Sequence, residues 1–75
     1  MALKEARLKA GLSQSQLANL ASINLRMLQY YEQGKNDINK AQVQTLLKLC
    51  KALNCSLADI VTDEETLALI EELNM

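Results

Sequence analysis

Apolar side chains recur along the chain at intervals of three and four residues, the spacing that lines one face of an α-helix. Between residues 23 and 33, Ile23, Met27, Leu28 and Tyr31 form such a face. The opposite side of the same helix carries Arg26, Gln29, Tyr30 and Gln33, at i, i+3, i+4 and i+7. A face that only needs to stay soluble is more often built of Glu and Lys. One built of Arg, Gln and Tyr is equipped to make contacts. A second stripe, Val43, Leu46, Leu47, Cys50 and Leu53, predicts a core-facing helix over 40–53. Near the end of the chain Leu67, Ile70 and Leu73 share one side, joined by Leu69.

Helix ends are marked as clearly as helix faces. Gly11 and Gly34 each follow a helical stretch, where a left-handed residue closes the last turn, and Asn54 takes the same place after the fourth helix. Ser13 with Gln16, Ser56 with Asp59 and Thr62 with Glu65 have capping-box spacing. Leu12 with Leu17, Ile23 with Leu28 and Cys55 with Ile60 have the spacing of hydrophobic staples around caps at Ser13, Asn24 and Ser56. Together these marks predict helices over 2–10, 14–21, 24–33, 40–53, 57–61 and 63–73. The chain reads as all-α: a compact bundle of five helices over residues 1–61, then a short acidic C-terminal helix over 62–75 for packing or dimerisation.

Composition agrees. The 75 residues make one small domain, near the lower size at which a single core sustains itself, with no Pro and abundant Leu, Ala, Gln and Lys. No run of 18 apolar residues and no signal-peptide pattern is present, so a soluble, cytoplasmic chain without a membrane partner is expected. Cys50 and Cys55 occupy apolar helical positions and are expected to be buried free thiols. With no His and no ligand cluster, neither a metal nor another cofactor is expected.

The net charge of −1 conceals a division along the chain. Residues 1–58 hold all eight Lys and Arg against three acids, Glu5, Glu32 and Asp37, for +5. Residues 59–75 hold six acids and no base, for −6. The distribution of charge steers a polyanion more than the sum does. The first part suits phosphates and the tail does not.

Only Ser22 and Ile23 separate the second helix from the Asn24 cap of the third, and so short a connection forces a sharp helix-turn-helix crossing. In that arrangement the third helix can enter a DNA major groove while the second crosses the backbone. Arg26 then suits guanine, Gln29 suits adenine, and Leu25 suits a thymine methyl. Tyr30 suits a methyl or a phosphate, and Gln33 completes the reading stripe.

The segments LSQSQLANLASINLRMLQYYEQGK and INKAQVQTLLKLCKALNCSLADIV resemble the Xre-type helix-turn-helix regulators, which include the lambdoid phage repressors and Cro proteins. The resemblance covers roughly residues 3–61. Its matching features are Arg7, LSQSQLA at 12–18, Leu28, EQGK at 32–35 and KALNCSLADI at 51–60. It implies a lambda-repressor-like fold and sequence-specific binding of double-stranded DNA by a bacterial or phage transcriptional regulator, repressor-like in action. It also implies phosphate contacts at Gln14, Lys35, Asn36 and Lys40, and a partly buried salt bridge between Arg7 and Glu32. Two departures stand out. Ser22 fills a turn position where the family usually has Gly, so a left-handed backbone there is strained. Asp37 lies in a loop that is often basic, which weakens affinity for phosphate.

A homodimer on a near-palindromic operator is expected, with Leu67, Leu69, Ile70 and Leu73 making the two-fold contact on the side away from the third helix. The alternative is a protein-interaction module, such as an antitoxin-like or adaptor domain whose acidic tail docks a basic partner. An enzyme is not expected: there is no His, no nucleophile–base pair and no glycine-rich phosphate loop.

Overall fold

Six α-helices and one 3-10 turn make up residues 3–73, the part of the chain that the computed structural model describes. They are α1 (Leu3–Lys9), α2 (Gln14–Ala21), α3 (Leu25–Gln33), the 3-10 turn (Ile38–Lys40), α4 (Val43–Leu53), α5 (Leu57–Ile60) and α6 (Glu64–Leu73). The expectation that the first helix takes in Ala2 falls outside the described residues.

The helices α2 and α3 pack on each other, α2 also packs on α4, and α1 packs on α3 and α5. The small residues Ala18 and Ala21 are buried on α2, where they let neighbouring helices approach closely. Leu17, Leu28, Leu49 and Ile60 have no solvent exposure, one from each of α2, α3, α4 and α5. The outer members of the three staples, Leu12, Ile23 and Cys55, pack against this cluster. At the C-terminal end α6 lies on α5 and buries Ile70.

The fourth helix is where the expectation from spacing needs correction. It does not begin at residue 40: Ala41 and Gln42 are extended, with ψ of 153° and 145°, and they separate α4 from the 3-10 turn. The 3-10 turn before the break places Ile38 in the core. The buried stripe is also rotated. Leu46, Leu49, Cys50 and Leu53 face inward, whereas Val43 and Leu47 are 70% and 52% exposed. An i, i+4 row of aliphatics was a sound sign of a helix and a poor guide to which side was covered.

Most helix ends follow the caps read from sequence. Ser13 Oγ accepts from the Gln16 amide at 3.1 Å, and Gln16 Oε1 accepts from the Ser13 amide at 2.8 Å. Asp59 accepts from the Ser56 amide at 3.0 Å. The third expected capping box, Thr62 with Glu65, is replaced. Asp63 caps α6, accepting from the Thr66 amide at 3.0 Å and its hydroxyl at 2.7 Å. These bonds hold the Asp59 and Asp63 carboxyls below their ordinary 3.8. A carboxyl depressed in the folded chain stabilises above the unfolded value, and that contribution disappears as pH falls through the folded value. The caps of α5 and α6 are therefore lost on the acid side, below about pH 4.

Thr62 and Asp63 have another role, through Asn39. Asn39 Oδ1 accepts from both their amides, at 2.8 and 3.1 Å, and its Nδ2 donates to Thr62 Oγ1 at 2.9 Å. Asp37 Oδ1 in turn accepts from the Asn39 side chain and amide. This clip ties the entry to α6 onto the 3-10 turn. The beginning of the tail thus sits beside the loop that follows α3, while the body of α6 packs on α5.

Two of the left-handed residues are not glycine: Ser22 at φ 55° and Asn54 at φ 52°. Asn tolerates that region because its short amide bonds locally; Ser gains less. Ser22→Gly is expected to stabilise the chain by about 0.5–1 kcal/mol and to raise its melting midpoint by several degrees, as read by thermal circular dichroism.

Candidate nucleic-acid interface

The turn between α2 and α3 is built to a fixed angle. The Ile23 amide folds back to the Ala18 carbonyl at 3.0 Å, and Asn24 Oδ1 caps α3 by accepting from the Arg26 and Met27 amides at 2.8 and 3.2 Å. Ile23 packs on the core and Leu28 is fully enclosed, which sets the rotation of α3. Met27 and Tyr31 are half-buried on the inner side. Arg26 and Gln33 are exposed, Leu25 is 37% exposed, and Gln29 and Tyr30 are half-buried at the edge of the stripe.

A buried ion pair holds the C-terminal half of α3. Arg7 Nε donates to Glu32 Oε2 at 2.7 Å, and Arg7 Nη2 donates to Glu32 Oε1 at 2.9 Å. Arg7 Nη1 donates to the Leu12 carbonyl at 2.8 Å, where α1 turns toward α2. The two side chains are only 8% and 3% exposed. The hydrogen bonds that Arg7 donates to Glu32 raise the guanidinium above its ordinary value, against the opposing effect of burial. One planar fork thereby joins α1, the α1–α2 turn and α3.

Gln14, the first residue of α2, extends this network to the surface. Its Nε2 donates to Glu32 Oε1 at 3.2 Å, and its Oε1 lies 3.5 Å from Gln29 Nε2, at the long limit of a hydrogen bond. On the other flank Gly34, at φ 78°, reverses the chain so that the Lys35 and Asn36 amides both reach the Tyr30 carbonyl, at 2.9 and 3.2 Å. The Lys35 ammonium then sits 5.1 Å from the Tyr30 ring centre, a cation–π distance. Gln14, Gln29, Tyr30, Lys35 and Asn36 therefore belong to one continuous surface with Arg26. Lys40 is exposed at the end of the 3-10 turn, in the same segment as Asp37.

Two features of this surface escaped the sequence. Gln14 has both ends of its amide engaged within the chain, whereas spacing placed it only at a helix start. Asn39 anchors the tail through contacts that span 23 and 24 residues, and its only local sign is Asp37 two residues earlier.

The tail stripe divides. Ile70 is buried in its own chain and Leu67 is half-buried, while Leu69 and Leu73 remain 50% and 66% exposed. Cys50 and Cys55 are free and half-buried. Burial, followed by the neighbouring Cys55, pushes the Cys50 thiol up to about 11. Among the described residues no group of His, Cys, Asp or Glu is arranged to hold a metal ion, and no helix is long and apolar enough to cross a membrane.

A sharply turned helix pair with a polar face on its second member is a helix-turn-helix arrangement. The helix-turn-helix family matches residues 3–60, and the chain belongs to it, within the Xre and lambda-repressor-like group of DNA-binding transcriptional regulators. No curated protein and no solved structure matches the chain.

Removing either ion-pair partner strands the other in a covered site, so Arg7→Ala or Glu32→Ala is expected to cost about 3–5 kcal/mol in urea unfolding. Arg7→Met combined with Glu32→Leu should recover much of that loss while weakening DNA binding, because α3 is then less firmly oriented. Zero coupling in the double-mutant cycle would mean that the pair stabilises nothing.

Proposed function

We propose that this chain is a sequence-specific regulator that reads double-stranded DNA with α3 in the major groove. The observation that carries the reading is the outward stripe of α3, set by buried Leu28 and the Arg7–Glu32 pair on a helix-turn-helix of this family. Arg26 offers a two-pronged donor suited to guanine O6 and N7, and Gln29 offers a donor and an acceptor suited to adenine. Leu25 meets a thymine methyl at the entry of the helix. Tyr30 and Gln33 contact the groove further along.

Phosphates on either side meet Gln14 and the segment holding Lys35, Asn36 and Lys40. Helix starts offer unpartnered amides, and lysines add positive charge. Asp37, with Asp63 close behind through Asn39, lowers the positive potential of that segment, so affinity for arbitrary DNA is modest and base contacts account for more of the discrimination. The chain acts as a homodimer in the cytoplasm, with two reading helices about 34–36 Å apart on a near-palindromic site, and it represses by occupying that site. No enzymatic role is proposed.

Selection from a pool of randomised duplexes, followed by gel shifts across a salt series, tests this. Arg26→Ala is expected to lower specific affinity by roughly 1–3 kcal/mol and relax preference at one base pair. Lys40→Ala should weaken binding to all sequences alike and make the salt dependence shallower by about one phosphate contact. Failure to enrich any sequence, with no salt-dependent binding, would overturn the DNA reading and favour an adaptor role.

A further inference from the structure

Outside the reading helix, Leu8 on α1 and Leu20 on α2 are single exposed aliphatics, whereas α4 and α6 each leave a pair uncovered. On α4 these are Val43 and Leu47, and on α6 they are Leu69 and Leu73. Each pair is spaced i, i+4 and extends by one further step to a charge. The α4 row runs Val43, Leu47, Lys51; the α6 row runs Glu65, Leu69, Leu73. Lys51 and Glu65 are both exposed. Charges of one sign flank each row: the only ionised side chains of α4 are Lys48 and Lys51, while α6 carries Glu64, Glu65, Glu71 and Glu72 and no base.

We propose that α6 of one copy lies antiparallel on α4 of a second copy. In that direction Leu73 meets Val43, Leu69 meets Leu47 and Glu65 meets Lys51. Both rows run over eight residue steps, about 12 Å of helix, so the three positions stay in step. Rows at i, i+4 are also the ridges that interdigitate most often between packed helices. The parallel direction fails on the same residues, because it sets Glu65 against Val43 and Lys51 against Leu73. The acceptor is a second copy because Ile70 already holds α6 on α5 of its own chain, with its other edge turned outward. Two-fold symmetry uses the contact twice, which closes the assembly at a dimer. The inference gives the dimer of the proposed function its surfaces, and rests on that reading only for its biological purpose.

Sedimentation of the full chain over a concentration series tests the pairing, with circular dichroism to check that helicity is unchanged. Lys51→Glu and Glu65→Lys are each expected to raise the dimer dissociation constant about tenfold, since each reversal sets like charges together at two symmetric places. The chain carrying both changes should return to within a few-fold of the original. Leu47→Asp should leave a folded monomer. A monomeric parent chain, or a dimer indifferent to both reversals, or a double variant no better than the single ones, would overturn the proposal. Binding of a DNA half-site by the Leu47→Asp chain separates the two readings: retained half-site binding supports the DNA reading whatever becomes of the interface.

Discussion

The Arg7–Glu32 pair is the constraint on which the recognition geometry depends. A guanidinium with three of its nitrogens engaged binds a carboxylate on α3 and a carbonyl at the end of the α1–α2 turn. The carboxylate also receives Gln14, from the first turn of α2. Three segments are thereby referred to one pair of side chains. Ile23 and Leu28 set the rotation of α3, and the ion pair ties its C-terminal half to α1 and the α1–α2 turn. A bidentate ion pair fixes direction as well as distance, even where desolvation leaves it little net stabilising effect.

From that pair outward, Gln14 carries the polar network to the edge of Gln29 at the surface. Separately, the turn at Gly34 carries Lys35 back over Tyr30. Side chains held this way lose less conformational freedom when they meet a partner, which favours discrimination between partners. Among the described residues, the side chains of Arg26 and Gln33 have no such hydrogen-bonded support and are exposed. The stripe therefore combines held and adaptable positions, an arrangement suited to a groove whose edges differ from one sequence to the next.

The fold was legible where local chemistry decides it. Ser13 with Gln16 and Ser56 with Asp59 predicted helix starts, and Gly11, Gly34 and Asn54 predicted helix ends, because caps are local events of a few residues. Spacing failed where a longer-range competitor decided. Residues 40–42 fit a helical stripe, yet burial of Ile38 and the Asn39 clip impose a 3-10 turn and two extended residues instead. Val43 and Leu47 looked like core because periodicity reports a shared face and not its neighbours. Thr62 looked like a cap because Asn39, 23 residues earlier in the chain, cannot be paired with it by spacing. The stripe on α3 was readable in outline, whereas the double engagement of Gln14 depends on distances that no spacing encodes.

Residue-resolved amide shifts during titration with a selected duplex address the central claim most directly, because they report which surface the DNA covers. The account predicts the largest changes at Gln14, along residues 25–33 and at Lys35, Asn36 and Lys40, with Arg26 and Gln29 side-chain signals among them. The exposed faces of α4 and α6 should remain near their free positions. Shifts concentrated on α4 or α6, with α3 unmoved, would contradict it.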